Sequence, residues 1–143
     1  MQPAAIRYRR RERGQALVEI ALILPIFLLL LLGIVQFGTV FRDYIALTDA
    51  TRVGARQAAV ARSILPESAR VPNVVSKVQN AAVNLDRNKM TITVTPVKVD
   101  GVTAGWEQSG EVTVRATYPF RIAIIGLVVF NGTLQSRTVE RVE

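Results

Sequence analysis

The feature that most constrains the fold is a continuous uncharged apolar stretch near the N-terminus. Residues 20–41 are 22 residues without a charged side chain, and only Gln36 and Thr39 are polar. A helix of this length spans about 33 Å at roughly 1.5 Å per residue, which matches a bilayer core of about 30 Å. The stretch therefore predicts one membrane-spanning helix over about residues 20–41, with membrane lipid as its surroundings.

A cluster of basic residues precedes this stretch. It contains five arginines, at positions 7, 9, 10, 11 and 13. Together with Glu12 they carry a net charge of +4 out of the formal +7 of the chain. The positive-inside rule explains such a cluster beside a membrane helix, so the basic excess does not indicate a nucleic-acid partner. We expect residues 1–14 on the cytoplasmic side, residues 1–13 to be disordered, and residues 63–143 outside the cytoplasm.

The chain contains neither cysteine nor histidine. Without cysteine there is no disulfide framework and no thiolate metal site. Without histidine the commonest general base and the commonest transition-metal ligand are missing. No acidic loop has the spacing of an EF-hand. We therefore expect no catalytic residue, no metal and no cofactor, and we predict that the protein is not an enzyme.

The membrane helix is predicted to continue beyond the bilayer. After Phe41 the sequence becomes amphipathic, and small residues cluster on one side, which permits another element to approach closely. The small residues are Gly54, Ala55, Ala58, Ala59 and Ala61. The predicted helix covers residues 15–62, with Pro66 and Pro72 as breakers. Pro25 lies in the membrane part, where it is either a tolerated proline, which we favour, or a hinge.

The remaining residues predict a small α+β domain, in which a short antiparallel sheet packs on the helix from Asp43 to Arg62. Alternating β-branched residues and turn signals indicate the strands. Pro96 places the first strand at an edge of the sheet. The predicted elements are a helix over 73–85, strands over 89–99, 111–118 and 133–142, and turns at Asp100-Gly101 and Asn131-Gly132.

Residues 122–130 (IAIIGLVVF) are apolar except for one glycine. Nine residues are too few to cross a bilayer as a helix. The segment is either part of the buried core, which we favour, or a patch that rests on the membrane surface or on a partner.

Glu19 is a lone carboxylate at the start of the apolar stretch. An ionised carboxylate costs about 2.5–3.5 kcal/mol at the centre of a membrane helix and less near the interface. A simple interpretation is that Glu19 interacts favourably with the helix dipole in the first turn. Its position relative to Gly14 suggests a second interpretation, because Glu19 becomes the fifth residue if the chain is cut after Gly14.

The order of arginines, Gly14, four residues, Glu19 and an apolar run resembles the class III signal of type IV pilins and pseudopilins. Within that superfamily, residues 14–25 (GQALVEIALILP) and Gln36-Phe37-Gly38 resemble the TadE-like pseudopilins of tight-adherence (Tad) pilus systems. The segment 50–56 (ATRVGAR) resembles their helix continuation. The resemblance covers about residues 10–60.

This resemblance implies cleavage between Gly14 and Gln15 by a prepilin peptidase, insertion in the cytoplasmic (inner) membrane with one pass, and partnership with other pilins and the assembly platform. Incorporation into an extracellular pilus is also open. Ile20, where the short major pilins have Tyr, and the large C-terminal part indicate a minor pseudopilin with a role in pilus assembly and adherence. After cleavage, the Gln15 amine of one subunit would pair with the Glu19 carboxylate of another. The alternative is an uncleaved single-pass protein whose outer domain binds a ligand or partner.

Overall fold

The protein is a long helix followed by a small α+β domain, as predicted. The structure is a computed structural model that describes residues 6–124 and 126–143. Its elements are α1 (Ile6–Ile64), α2 (Glu67–Ala81), a 3₁₀ turn (Arg87–Lys89), β1 (Thr91–Val97), β2 (Glu111–Ile124) and β3 (Leu127–Arg141). The three strands form one antiparallel sheet in the order β1-β2-β3.

Helix α1 has 59 residues and begins at Ile6, not near Gln15. The prediction of disorder is therefore wrong for residues 6–13, and its first part, residues 1–5, lies outside the described residues. The physical reason is that Arg and Glu are good helix formers, so the helix of the apolar stretch propagates through them. At its other end α1 stops at Ile64, close to the predicted end at residue 62.

Two parts of α1 differ in what covers them. Every residue from 14 to 32 is exposed. From Gly33 onward, one stripe with three- or four-residue spacing is covered by the rest of the chain, because such positions share a helix face. The stripe consists of Gly33, Gln36, Val40, Asp43, Leu47, Ala50, Gly54, Ala58 and Ala61.

The core lies between this stripe, α2 and the sheet. Val74 and Val78 of α2 and Val112, Val114 and Ala116 of β2 are fully buried. The alternation predicted for residues 111–118 is confirmed at its buried positions.

The predicted role of the small residues of α1 is confirmed at Gly54. A Cβ atom at Gly54 would stand 2.2 Å from Cγ2 of Val78 and 3.5 Å from Cγ1 of Val114. Only a residue without a side chain lets α2 and β2 lie this close to α1.

Helix α2 contains Pro72 in its interior, so the prediction that Pro72 breaks the chain there is wrong. Pro72 removes the amide that would bond to the Ser68 carbonyl. Both residues are exposed, and water can therefore satisfy that carbonyl. The helix starts at Glu67 and ends at Ala81, displaced toward the N-terminus from the predicted 73–85.

Strand β1 is an edge strand that contains Pro96, which confirms the sequence prediction. The turn at Asp100-Gly101 is also confirmed, since Gly101 has φ +72°. The Thr103 hydroxyl, followed by the backbone amides of Val102 and Thr103, donates to the Asp100 carboxylate and lowers the pKa of that group.

The β2–β3 hairpin is longer than predicted. Its turn lies at Gly126 (φ +80°), so the predicted turn at Asn131-Gly132 is wrong: both residues belong to β3. Gly132 lies opposite Phe120, and a Cβ there would approach the Phe120 ring to 2.8 Å. The glycine makes room for a cross-strand aromatic ring and does not form a turn.

Candidate processing and assembly site

The residues predicted for processing and assembly lie on the exposed N-terminal part of α1. Gly14, Gln15 and Glu19 are all helical and exposed. Gln15 and Glu19 are four positions apart, so they occupy the same face of the helix about one turn from each other. The predicted pair joins Gln15 of one subunit to Glu19 of another, and it stays a prediction.

Glu19 stands at the border between polar and apolar surface. Its neighbours one turn further along the helix are Leu22 and Ile23, which are 70% and 56% exposed. None of the ion pairs formed among the described side chains involves Glu19. Because helical side chains lean toward the N-terminus, the Glu19 carboxylate is directed toward the level of Gln15.

The Gly14–Gln15 peptide bond lies within the continuous helix α1. A protease cleaves backbone that its active site can enclose, so the helix has to open locally at this bond. Gly14 lowers the cost of opening, because glycine is about 1 kcal/mol less favourable than alanine in a helix interior. A Cβ at Gly14 would meet nothing within 4 Å, so no packing inside this chain requires glycine at that position.

Pro25 is part of α1, which continues through it as an α-helix. Proline has no amide hydrogen, so the carbonyl of Ala21 loses its ordinary helical partner. In a membrane helix such a carbonyl is satisfied by a neighbouring helix, a water molecule or a local adjustment. A hinge at Pro25 stays a prediction.

The surface around these residues is apolar over a long distance. Except for Val40, the large apolar side chains between Leu17 and Phe41 are 41–70% exposed. Their helix contains a window of mean hydropathy 2.9, none of which is buried inside the protein. It is the one helix within the described residues that is long and apolar enough to cross a membrane, and it indicates single-pass membrane anchoring.

Sequence reasoning missed one contact of this segment. Gln36 Nε2 donates to the backbone carbonyl of Ala123, near the end of the β2–β3 hairpin, over 2.9 Å. A signal was present, because Gln36 is one of two polar side chains in the 22-residue stretch and a second apolar segment surrounds Ala123. The sequence could not tell that the two segments meet.

The described residues of the segment 122–130, which are 122–124 and 126–130, do not belong to the buried core, so the favoured prediction is wrong for them: 122–124 are half-buried and 126–130 are exposed. The side chains of Leu127, Val128, Val129 and Phe130 are 51–75% exposed. The reason is geometric. Strands β2 and β3 extend past the end of β1, and their last residues lie beyond the part of the sheet that packs on the buried face of α1.

Acidic groups do not gather into a metal site in the part of the chain that the structure describes, where no group of three or more possible ligands is present. The polar cluster nearest the core is made of hydroxyls. Thr51 Oγ1 donates to the Thr48 carbonyl at 2.8 Å. It also lies 2.9 Å from Ser136 Oγ, whose hydroxyl can donate to it. These hydroxyls join β3 to α1 and so help to hold the sheet in one position on the helix.

Comparison with protein families gives one match. A family model described as TadE-like protein matches residues 14–56. The matched segment begins at Gly14 and includes Glu19 and Pro25. The match agrees with the resemblance seen in the sequence. Neither a curated protein nor a solved structure matches the chain significantly.

Proposed function

We propose that this chain, TadE-like over residues 14–56, is a minor pseudopilin that a prepilin peptidase cleaves between Gly14 and Gln15 before it takes part in Tad pilus assembly and adherence. The observation that carries the proposal is the coincidence of three features at one end of α1. They are a glycine after a basic segment, a carboxylate four residues beyond the new N-terminus, and an apolar helix surface that the other described residues leave exposed.

Cleavage changes the electrostatics of this end of the helix. It removes the basic segment that carries +4 and creates an α-amine on Gln15. The uncleaved chain has a peptide bond at this point and an arginine-rich segment that belongs on the cytoplasmic side. Processing therefore converts a membrane-anchored protein into a subunit whose N-terminus can enter an apolar environment.

The Glu19 carboxylate is the natural partner of that amine. In a bundle of parallel helices, Glu19 of one subunit reaches the Gln15 amine of the next when the two helices have the correct axial offset. Two unit charges at about 4 Å attract each other by about 4 kcal/mol at an effective dielectric constant of 20. Part of this energy offsets the desolvation of the two groups, and the remainder selects one axial register.

The orientation follows from the same features. Residues 1–14 lie in the cytoplasm, α1 crosses the inner membrane, and the domain from residue 63 lies outside. The partners are the prepilin peptidase, other pilins or pseudopilins and the membrane assembly platform. The exposed apolar side chains from Leu17 to Phe41 contact lipid before assembly and neighbouring helices after it.

Substitutions at Glu19 test this mechanism. Glu19→Ala makes the helix more apolar, so insertion and cleavage persist. Assembly fails, because the amine of a neighbouring subunit is buried without its partner, and breaking one side of a buried pair costs about 3–5 kcal/mol. Glu19→Asp, with a shorter reach, gives an intermediate result. The measurement is co-purification with the other pilus subunits at matched membrane levels of each variant.

Val18→Ala is the matched control, since it shortens the adjacent exposed side chain without changing charge. It should assemble like the wild type. If Glu19→Ala also assembles like the wild type, Glu19 is a helix-end charge worth about 1 kcal/mol or less, and the pairing mechanism is wrong.

A further inference from the structure

The end of the β2–β3 hairpin is an apolar surface that the proposed function does not use. We call residues 122–124 and 126–130 the hairpin tip. Four consecutive side chains of the tip are exposed: Leu127 75%, Val128 51%, Val129 63% and Phe130 58%. No charged residue occurs within the tip. A water-facing hairpin end ordinarily carries polar residues, and a contiguous apolar patch of this kind marks an interaction site.

The position of the tip relative to α1 identifies what it contacts. Gln36 Nε2 bonds to the Ala123 carbonyl at 2.9 Å, so the tip lies beside Gln36. Gln36 is five residues before Phe41, the last residue of the uncharged stretch, and thus lies about 8 Å inside it at roughly 1.5 Å per residue. If α1 spans a bilayer, the tip is at the level of the lipid.

Charged residues border the tip on the side of the domain. Arg121 is exposed and directly precedes the tip, and Arg42 directly follows the apolar stretch of α1. The Arg42 guanidinium also binds Asp43 at 3.1 Å, while its side chain remains 62% exposed. Arginines at the end of an apolar surface keep their charged groups at the headgroup level, where phosphates accept their hydrogen bonds.

The backbone limits how deep the tip can go. Strand β1 pairs with β2 only as far as Thr117, so β2 beyond that point has β3 on one side alone. Strand edges in the hydrocarbon core leave amides and carbonyls without partners, which is strongly unfavourable. The Gln36 amide satisfies one carbonyl of this strand. The others need water or headgroups, and the tip therefore fits the boundary between headgroups and acyl chains.

We propose that the hairpin tip is a second membrane contact, which inserts its apolar side chains into the headgroup–acyl boundary of the leaflet on the side of the C-terminal domain. The proposal rests on α1 as a membrane anchor and does not depend on cleavage at Gly14. The domain is then held at two points, the helix and the tip, so that the sheet stands on the membrane surface in one orientation.

Quenching of tryptophan fluorescence by brominated lipid tests the contact. The full chain with Trp106→Phe, which removes its single tryptophan, is reconstituted in vesicles of phosphatidylcholine and phosphatidylglycerol that carry bromine near the top of the acyl chains. Val129→Trp in this background probes the tip. Val139→Trp, an exposed valine elsewhere in β3, is the matched control, and Phe37→Trp reports the α1 surface beside Gln36.

We expect Val129→Trp to be quenched at least about twofold more strongly than Val139→Trp, with emission shifted to the blue, because an interfacial apolar group lies about 5–10 Å into the boundary region. Leu127→Trp is a second tip probe and should behave like Val129→Trp. The quenching should not change when the protein is diluted in the lipid.

Three results would overturn the proposal. In the first, Phe37→Trp is quenched while both tip probes match Val139→Trp, so the tip is in water. In the second, the tip probes emit in the blue but are quenched no more than Val139→Trp at any protein density, so a second copy and not lipid covers the tip. In the third, Phe37→Trp itself is not quenched, so α1 does not span the bilayer. The first two leave the proposed pilus function intact, and only the third removes its premise as well.

Discussion

The two halves of α1 have the same secondary structure and opposite surroundings. From residue 14 to 32 every side chain is exposed, and no part of the chain that the structure describes covers the large apolar ones. Between Leu47 and Ala61, one face of the same helix is fully buried under α2 and the sheet. The first half carries Leu, Ile and Phe, whereas the buried face of the second half is mostly Ala and Gly.

This difference in side-chain size indicates what kind of neighbour each half of α1 contacts. Large apolar side chains around the whole circumference suit lipid or other helices, which approach from every side. Small residues on a single face suit one fixed neighbour that comes close, as α2 does at Gly54. Stability of the domain should therefore depend on the second half alone, and the substitutions below compare matched positions in the two halves.

The largest effect is expected from shortening a leucine. Leu47 is fully buried, so Leu47→Ala should lower the free energy of unfolding of the domain by about 2–5 kcal/mol through lost burial and a residual cavity. Leu24→Ala, at a leucine that is 47% exposed, should leave it unchanged. The measurement is denaturant unfolding of the full chain in detergent, followed by Trp106 fluorescence. Equal effects at both positions would contradict the division of α1 into two halves.

A smaller effect is expected from adding a methyl group. Gly54→Ala places a Cβ against Cγ2 of buried Val78 and should cost about 1–3 kcal/mol, the usual range for overpacking. Gly38→Ala meets nothing within 4 Å and should not weaken the domain. The same unfolding experiment compares the two. A stabilised Gly54→Ala variant would mean that the close approach of α2 is not required.

The smallest effect is expected from removing a hydroxyl. Thr51→Val leaves the nearly buried Ser136 without the partner that lies 2.9 Å away, and should cost about 1–2 kcal/mol. Thr39→Val removes an exposed hydroxyl that bonds only within its own helix turn, and should have no measurable effect. Adding Ser136→Ala to Thr51→Val should recover part of the loss. No recovery would show that the hydroxyl pair does not act as a unit.

Much of the fold was predictable because local signals were consistent with tertiary contacts. Alternation in residues 111–118 identified a half-buried strand, and Pro96 identified an edge strand. The errors arose where tertiary geometry overrides a local signal. Gly132 resembles a turn residue, yet it is required by the Phe120 ring across the hairpin. Pro72 resembles a breaker, yet its helix tolerates it, because Pro72 and Ser68 are exposed and water can satisfy the affected carbonyl.

The residues of the candidate site were predictable from their spacing in the sequence, but their three-dimensional surroundings were predictable only in part. The spacing of Gly14, Gln15 and Glu19 alone places Gln15 and Glu19 on one helix face. The prediction missed that the helix already exists upstream of Gly14, because it relied on apolar periodicity, which this segment lacks, and not on the helix propensity of its Arg and Glu residues. It also did not reveal that the hairpin tip reaches Gln36, because that contact joins residues 87 positions apart.

The most direct test of processing as a pseudopilin is to determine the N-terminus of the mature protein. If a prepilin peptidase cleaves between Gly14 and Gln15, intact-mass analysis of the protein extracted from native membranes shows loss of residues 1–14, with Gln15 as the first residue. In cells that lack prepilin peptidase activity, the same protein should retain those residues. A protein that still carries Met1 in cells with an active prepilin peptidase would contradict the pseudopilin assignment and favour an uncleaved membrane protein whose outer domain binds a partner.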